Sequence, residues 1–235
     1  GIEFGDISPG VTTNTEMILI TVPDDIVLSD IPIHVNLEAQ YMQDDVEFTY
    51  TGSFTFNINV SLNQYGFPNE TDFPVKSSPL MLNVDNQNDL EIIIGDYNGF
   101  IRAYKPNGTE INNNSFPYET GDQIWGSPAS ADLDLDGIID FVIGSKDKSI
   151  YLFDQDGFKD DEYLGSFLIG TPAIGNIDSD EELEIVIAGY SSDQRKIYAL
   201  NHDLSSVEGF PIDIGERVRS GVSLADFNNN GKDDI

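Results

Sequence analysis

The stretch "SPASADLDLDGIIDFVIGSKDKSIYLFDQDG", residues 127–157, decides the fold because its pattern recurs along the chain. A first copy, "SPLMLNVDNQNDLEIIIGDYNGFIRAYKPNG", begins at Ser78, and a third, "TPAIGNIDSDEELEIVIAGYSSDQRKIYALNHD", begins at Thr171. A fourth, "GVSLADFNNNGKDDI", begins at Gly221. The residues that open the four acidic loops lie 49, 44 and 50 residues apart: Asn83, Asp132, Asn176 and Asp226.

Each whole repeat contains the same elements in the same order. A Ser/Thr-Pro pair is followed by a short strand, an acidic loop, two apolar strands and, in most cases, a Phe-Pro pair. About four strands in 40 to 50 residues predict one blade of a β-propeller, and a ring closes with roughly four to eight blades. We therefore expect residues 63–235 to form three blades and the start of a fourth, with the remainder beyond Ile235.

Two smaller expectations follow from the Phe-Pro pairs at Phe67, Phe116 and Phe210. The segment near residues 63–75 should supply the outer strand of a blade that is otherwise built elsewhere. The second repeat lacks the pair and is shorter, so we expect its outer strand to be trimmed.

Residues 1–62 predict a separate, partial domain of β-sandwich type. In "IPIHVNLEA", residues 31–39, and "FTFNINVSL", residues 54–62, apolar side chains alternate with polar ones, which indicates half-buried strands. "MILITV", residues 17–22, predicts a third strand. Because no segment predicts a convincing helix, the fold class is all-β throughout.

Composition limits the possible partners. The chain of 235 residues has 11 Lys and Arg against 42 Asp and Glu, a formal net charge of −31, which repels nucleic acid and anionic membrane surfaces. It has no cysteine, and no apolar run approaches the roughly 20 residues that span a bilayer. We therefore expect neither nucleic-acid binding nor membrane insertion.

The second acidic loop has the spacing of a calcium loop. Its carboxylates occupy loop positions 1, 3, 5 and 9, and Gly137 at position 6 permits a sharp turn. Position 7 offers a backbone carbonyl. An EF-hand loop would close with Glu at position 12, but Ile143 stands there within an apolar strand, so closure falls to position 9. The predicted ligands are Asp132, Asp134, Asp136, Ile138 through its carbonyl, and Asp140.

The other loops keep this pattern to different degrees. The fourth retains a full oxygen set with less charge: Asp226, Asn228, Asn230, Lys232 through its carbonyl, and Asp234. The third has Glu181 at the turn, which predicts strain, and its ligands would be Asn176, Asp178, Asp180 and Glu184. The first is predicted to be weak or empty, with Asn83, Asp85, Gln87 and Glu91. One such loop could be an ordinary acidic hairpin turn, but four in register favour Ca2+ binding.

"WGSPASADLDLDGIIDFVIGS", residues 125–145, resembles the FG-GAP or VCBS repeat of integrin-α-type β-propellers and of many secreted bacterial proteins. The similarity covers about residues 63–235. The chain departs from the pattern at Gly144-Ser145-Lys146, where the family has Gly-Ala-Pro, which favours the bacterial type. The resemblance implies calcium bound in hairpin loops and a secreted or cell-surface protein that adheres to or recognises a protein or polysaccharide.

No catalytic constellation is evident. His34 and His202 lie far apart without a patterned acid or nucleophile, so we expect a non-catalytic module. The alternative is an accessory or catalytic propeller of a secreted hydrolase or polysaccharide lyase. A lyase should have a basic cluster on one propeller face, and the candidates for it are the scattered arginines Arg102, Arg195, Arg217 and Arg219. A third possibility is the acidic surface of a halophile with vestigial loops.

Overall fold

The structure is a computed structural model that describes residues 30–43, 46–59, 66–85, 87 and 89–235. The chain divides into two compact units, Gly1–Asn63 and Gln64–Ile235. The described residues contain strands, turns and bends but no helix, so none of them lies in a helix that could cross a membrane. The all-β fold class is therefore confirmed.

In the first unit, the described residues form a two-stranded antiparallel ribbon of β1 (Asp30–Gln43) and β2 (Val46–Asn59). The register places Val35 opposite Phe54 and Ile33 opposite Phe56. Apolar residues thus share one face, as their alternation predicts, although Phe54 and Phe56 remain exposed. The predicted strand at residues 17–22 lies outside the described residues, and the β-sandwich stays a prediction.

The second unit contains three antiparallel four-stranded sheets that follow one another along the chain. The first blade comprises β3 (Leu80–Leu82), β4 (Glu91–Gly95), β5 (Phe100–Tyr104) and β6 (Tyr118–Glu119). The second comprises β7 (Ala129–Ala131), β8 (Asp140–Gly144), β9 (Ser149–Asp154) and β10 (Gly157–Tyr163). The third comprises β11 (Ala173–Gly175), β12 (Glu184–Ala188), β13 (Lys196–Leu200) and β14 (Ile212–Asp213).

Each sheet pairs its strands in chain order, which is the meander of a propeller blade. The fourth repeat contributes an isolated antiparallel bridge between Ala225 and Asp234. Residues 66–75 form no strand, so the predicted outer strand is not found in the described part of that segment.

The blades pack face against face, as the burial of their second strands shows. All five residues of β8 and of β12 are buried. In β8, Phe141 and Ile143 belong to the core shared with the first blade, whereas Val142 belongs to the core shared with the third. In β4, by contrast, buried and half-buried residues alternate, because no described sheet covers its other face.

The second blade has the longest outer strand, which corrects the prediction that this strand is trimmed. β10 spans seven residues, whereas β6 and β14 span two each. The repeat is shorter because a tight turn at residues 154–157, in which Asp154 Oδ1 accepts the N–H of Gly157 at 3.1 Å, joins β9 directly to β10. The other whole repeats reach their outer strands through longer connections that contain cis Phe116-Pro117 and cis Phe210-Pro211.

The glycines that precede the Ser/Thr-Pro pairs allow adjacent blades to approach closely. A Cβ atom on Gly126 would lie 2.4 Å from the carbonyl oxygen of Gly170, and one on Gly170 would lie 2.4 Å from that of Ser220. Side-chain hydroxyls also link the first residues of successive repeats: Ser78 N–H donates to Ser127 Oγ at 2.7 Å, and Ser127 N–H donates to Thr171 Oγ1 at 3.1 Å. The beginning of each repeat thus fixes the spacing between blades.

Candidate metal centre

The acidic loops occupy equivalent places in the blades. Each whole loop joins the first strand of its blade to the second, as residues 132–139 join β7 to β8. Neighbouring loops are in contact: Leu183 N–H donates to Leu133 O at 2.9 Å, and Asp233 N–H donates to Asn176 O at 2.6 Å. The second, third and fourth loops therefore lie side by side at one end of the blades, which we call the loop end.

The carboxylate at position 9 has the same structural role in every loop. It accepts a hydrogen bond from the backbone N–H at position 2, so that it fastens the end of the loop to its beginning. The four bonds are Val84 to Glu91 at 3.0 Å, Leu133 to Asp140 at 3.3 Å, Ile177 to Glu184 at 2.7 Å and Phe227 to Asp234 at 3.0 Å. Glu91, Asp140 and Glu184 are almost completely buried. The carboxylate at position 9 thus closes each loop by a hydrogen bond, which uses one of its two oxygens.

The second loop brings three carboxylates to one point. Oxygens of Asp132, Asp134 and Asp136 lie within 4.8 Å of one another. Since calcium binds oxygen at about 2.3 to 2.6 Å, two ligands of one ion lie no more than roughly 5 Å apart. The three oxygens therefore fit a single ion of this kind.

The backbone of the second loop is shaped by residues at positions 4 and 6. Leu135 has φ of 58° and Gly137 has φ of 90°, which turns the chain sharply. Asp132 Oδ2 accepts the N–H of Gly137 at 3.0 Å, and Asp136 Oδ1 accepts the N–H of Ile138 at 2.8 Å. The turn predicted from Gly137 is present.

One oxygen of the second loop has no partner. Asp132 Oδ1 is buried and accepts no hydrogen bond, although the other oxygen of the same carboxylate is bonded to Gly137. Burial of an unpaired carboxylate oxygen is costly, so native proteins rarely retain one without a ligand. The donor set and this orphaned oxygen together fit a hard cation held by Asp132, Asp134 and Asp136.

Asp140, the fourth predicted carboxylate of this loop, makes a different contact. Its Oδ1 accepts a hydrogen bond from the ammonium group of Lys159 at 3.0 Å, and the same ammonium lies 3.9 Å from Asp134 Oδ2. Burial raises the pKa of Asp140, and the Lys159 charge opposes that rise. Lys159 lies on β10 and was missed from the sequence, because only the pairing of β10 with β9 brings it over the loop.

The fourth loop adopts the same turn as the second. Asn229 has φ of 57° and Gly231 has φ of 85°, and Asp226 Oδ2 accepts the N–H of Gly231 at 2.8 Å. Asn230 Oδ1 accepts the N–H of Lys232 at 2.8 Å, as Asp136 does from Ile138. The backbone N–H of Gly231, with smaller contributions from those of Asn230, Asn229 and Asn228, lowers the pKa of Asp226. Asn228 donates to Asp234 through its amide nitrogen at 3.1 Å.

The first and third loops form a second class. Asn stands at position 1, and its side-chain amide donates to the backbone carbonyl at position 5: Asn83 to Gln87, and Asn176 to Asp180 at 2.7 Å. Glu181 at position 6 is not among the described non-glycine residues with positive φ. The predicted strain at Glu181 is therefore wrong, because the Asn176 amide holds a different turn that does not require glycine.

The third loop nevertheless gathers carboxylates. Oxygens of Asp178, Asp180 and Glu184 lie within 4.8 Å of one another. Burial raises the pKa of Glu184, and the charges of Asp178 and Asp180 add to this. Clustered negative charges of this kind are relieved by a bound cation. In the first loop, Lys105 Nζ contacts Asp85 Oδ2 at 3.1 Å, so a lysine supplies positive charge there.

No protein-family model matches the chain, and no curated protein matches it significantly. Among solved structures, the chain is similar to BBS1N in two crystals of its complex with ARL6DN, one soaked with mercury and one with lead. The identities are 10% and 12%, the TM-scores 0.39 and 0.44, and the matches cover 70% and 76% of this chain. They cover 46% and 48% of the BBS1N chains, so this chain spans less than half of their length. The assignment of blades rests on the three sheets themselves.

Proposed function

We propose that residues 63–235 are part of a calcium-stabilised β-propeller whose loops bind Ca2+ as a structural ion. The observation that carries this proposal is the second loop, in which three carboxylates converge and Asp132 Oδ1 is buried without a partner. Bound calcium would offset the repulsion among Asp132, Asp134 and Asp136 and fix the hairpin between β7 and β8.

The loops are ranked by their donors. The second comes first, and the fourth follows because it repeats the turn with fewer charges. The third has three converging carboxylates on a different turn, and the first has Lys105 in contact with its position-3 carboxylate. Occupancy should fall in that order.

Beyond calcium binding, the proposed role of these repeats is to recognise a ligand without catalysing a reaction. The repeats resemble FG-GAP or VCBS repeats, which implies a module of a secreted or cell-surface protein that binds an extracellular protein or polysaccharide. The proposal of a non-catalytic module rests on the sequence, in which His34 and His202 lie far apart without a patterned acid or nucleophile.

Calorimetric titration with Ca2+ tests the metal proposal. The wild-type chain should bind two or three ions, and Asp134→Ala and Asn228→Ala should each remove one of them. Asp193→Ala is the matched control, because this exposed carboxylate lies in the turn between β12 and β13, outside the acidic loops. Absence of saturable binding by the folded chain would overturn the proposal, as would an equal loss in the control.

A further inference from the structure

The few cations of this acidic chain are unevenly distributed. The chain has 11 Lys and Arg against 42 Asp and Glu. Five of these cations lie over aromatic rings in the turns opposite the acidic loops or in the segments that lead into the blades. We call this surface the cation–aromatic strip. It consists of Lys76, Tyr97, Trp125, Lys146, Lys148, Phe167, Tyr190, Arg217 and Arg219.

The strip lies at the end of the blades opposite the loop end. In an antiparallel meander, successive turns fall at opposite ends of the sheet, so the turn after each second strand lies away from the acidic loop before it. Tyr97, Lys146 and Tyr190 occupy equivalent places in these turns. Each donates its backbone N–H to the segment that leads into a blade: to Pro74 O at 3.1 Å, Gln123 O at 3.0 Å and Phe167 O at 2.9 Å, respectively. The segments that lead into the second and third blades also bond the turn of the preceding blade, since Ile124 N–H donates to Asp96 O at 3.0 Å and Leu168 N–H donates to Ser145 O at 3.1 Å. The strip is therefore continuous across the three blades.

Its first part surrounds Trp125. The ring stacks with Tyr97 at 5.6 Å between centroids, and the ammonium groups of Lys76 and Lys146 lie 4.3 and 4.8 Å from the Trp125 ring. Gln123 Oε1 accepts hydrogen bonds from Trp125 Nε1 at 2.9 Å and from Lys146 Nζ at 3.1 Å. Two cations are thus held in fixed places beside a half-buried aromatic pair.

Its second part surrounds Tyr190. The guanidinium groups of Arg217 and Arg219 lie 5.2 and 5.3 Å from the ring, and Arg219 donates to the Tyr190 hydroxyl at 2.8 Å. Lys148 lies 5.6 Å from the Phe167 ring. The arginines that are scattered in the sequence are therefore partly assembled by the fold.

None of the five strip cations forms an ion pair with a described residue. The ion pairs of the described chain belong to Arg102, Lys105 and Lys159. With about four acids for each base, pairing would be the ordinary outcome on such a surface. The strip instead keeps its positive charge available to a ligand.

Lys148 is also held against its conformational preference. Its φ is 82°, in the left-handed region, and the equivalent place in the first blade is occupied by Gly99 with φ of 85°. A lysine at this position costs stability that glycine would not, and such strain is often retained at binding sites.

We propose that the strip binds a linear anionic polysaccharide. This inference rests on the proposed recognition role and names its ligand class, but it does not depend on the calcium loops. Cations spaced along three blades match charges that repeat along a polymer, and the aromatic rings between them offer flat apolar surface to sugar rings. A polysaccharide with one charge per one or two sugars is repelled by the net charge of −31 far less than nucleic acid, whose duplex carries one charge per about 1.7 Å.

Binding of defined polymers to the full 235-residue chain tests the proposal. The probes are hyaluronan for carboxylates, chondroitin sulfate for sulfates, dextran as the neutral polymer and duplex DNA for phosphates. The strip variant is Lys146→Gln with Lys148→Gly, in which glycine also relieves the left-handed backbone. The matched control is Lys105→Gln with Lys232→Gln, which removes the same charge at the loop end, where the two ammonium groups contact Asp85 of the first acidic loop and Ser179 of the third.

We expect binding to hyaluronan or chondroitin sulfate but not to dextran. The strip variant should weaken this binding about tenfold and the control less than about twofold. Equal weakening in both variants, a preference for DNA, or no binding by the folded chain would overturn the proposal. Calcium titration of the same samples separates this failure from failure of the metal proposal, because the strip variant should keep its calcium sites.

Discussion

A single atom at the first loop position separates two kinds of acidic loop in this chain. Asp132 and Asp226 present carboxylate oxygen, which accepts the N–H of the glycine five residues later. Asn83 and Asn176 present an amide nitrogen, which donates to a carbonyl four residues later. An ionised carboxylate has no hydrogen to donate, so Asp cannot hold the turn that the Asn amide nitrogen holds by donating to the carbonyl at position 5. The Asp loops have the left-handed glycine, and the Asn loops do without it.

Lys159 competes with calcium for the second loop. Its ammonium contacts Asp140 and approaches Asp134, both predicted ligands. Lys159→Gln should therefore tighten calcium binding by this loop several-fold and lower the calcium-free stability by about 1 to 3 kcal/mol, because buried Asp140 loses a charged partner. Calorimetry and calcium-free melting measure the two effects. Lys196→Gln, which removes the same charge from β13, should leave both unchanged; looser calcium binding in Lys159→Gln would contradict the assignment.

Gly126 tests the spacing between the second and third blades. A Cβ atom there would lie 2.4 Å from a backbone carbonyl oxygen, so Gly126→Ala must displace one blade and should cost about 1 to 3 kcal/mol. Ser220→Ala is the control at the equivalent, exposed place of the fourth repeat and should change stability by less than about 0.5 kcal/mol. Thermal melting compares them. Identical melting temperatures would show that the blades do not approach so closely.

At the scale of elements, the sequence could predict the strands that are apolar on both faces. β8 is apolar because a blade covers each of its faces, and β12 because the second blade covers one face and Val222 and Leu224 of the fourth repeat pack on the other. The periodic Ser/Thr-Pro pairs mark where each whole repeat begins. The outer strands could not be predicted in this way. β10 carries mostly exposed charged residues, and only its tight turn to β9 makes it the longest outer strand. The contact of Lys159 with the loop was hidden for the same reason, since it depends on that strand pairing.

The tyrosines of the third and fourth strands should make the blades sensitive to alkaline pH. Burial raises the pKa of Tyr104, Tyr118, Tyr151 and Tyr198, most strongly for Tyr151, whose hydroxyl also donates to Asp147. A group with a raised pKa in the folded state stabilises the fold fully below its unfolded pKa of about 10, and this contribution is lost as the pH rises further. The melting temperature should therefore begin to fall near pH 10 and fall further as the pH rises above it.

Tyr151→Phe isolates the largest of these effects. The variant should lose less stability than the wild type over the same alkaline range, because its unfolded state has one tyrosine fewer to ionise. Tyrosinate absorbance, followed with circular dichroism, should show that part of the titration accompanies unfolding. Complete ionisation of the tyrosines in a still-folded chain would contradict the burial of these hydroxyls.

At the scale of the whole molecule, the net charge of −31 makes calcium and general salt act differently. Screening by monovalent salt weakens repulsion over the entire surface, whereas an ion in the second loop must satisfy Asp132, Asp134 and Asp136 together. Calcium at about 100 times its dissociation constant stabilises the fold by about 2.7 kcal/mol per site, or roughly 5 to 10 °C for a domain of this size. Chelation should remove that increment. Magnesium should restore little of it, since it requires a smaller octahedral shell, and potassium chloride should restore only the part due to screening. An acidic surface adapted to salt predicts the reverse, with full recovery in potassium chloride and no response to the chelator. A melting series with the chelator, magnesium and potassium chloride therefore decides between a structural calcium ion and a salt-adapted surface.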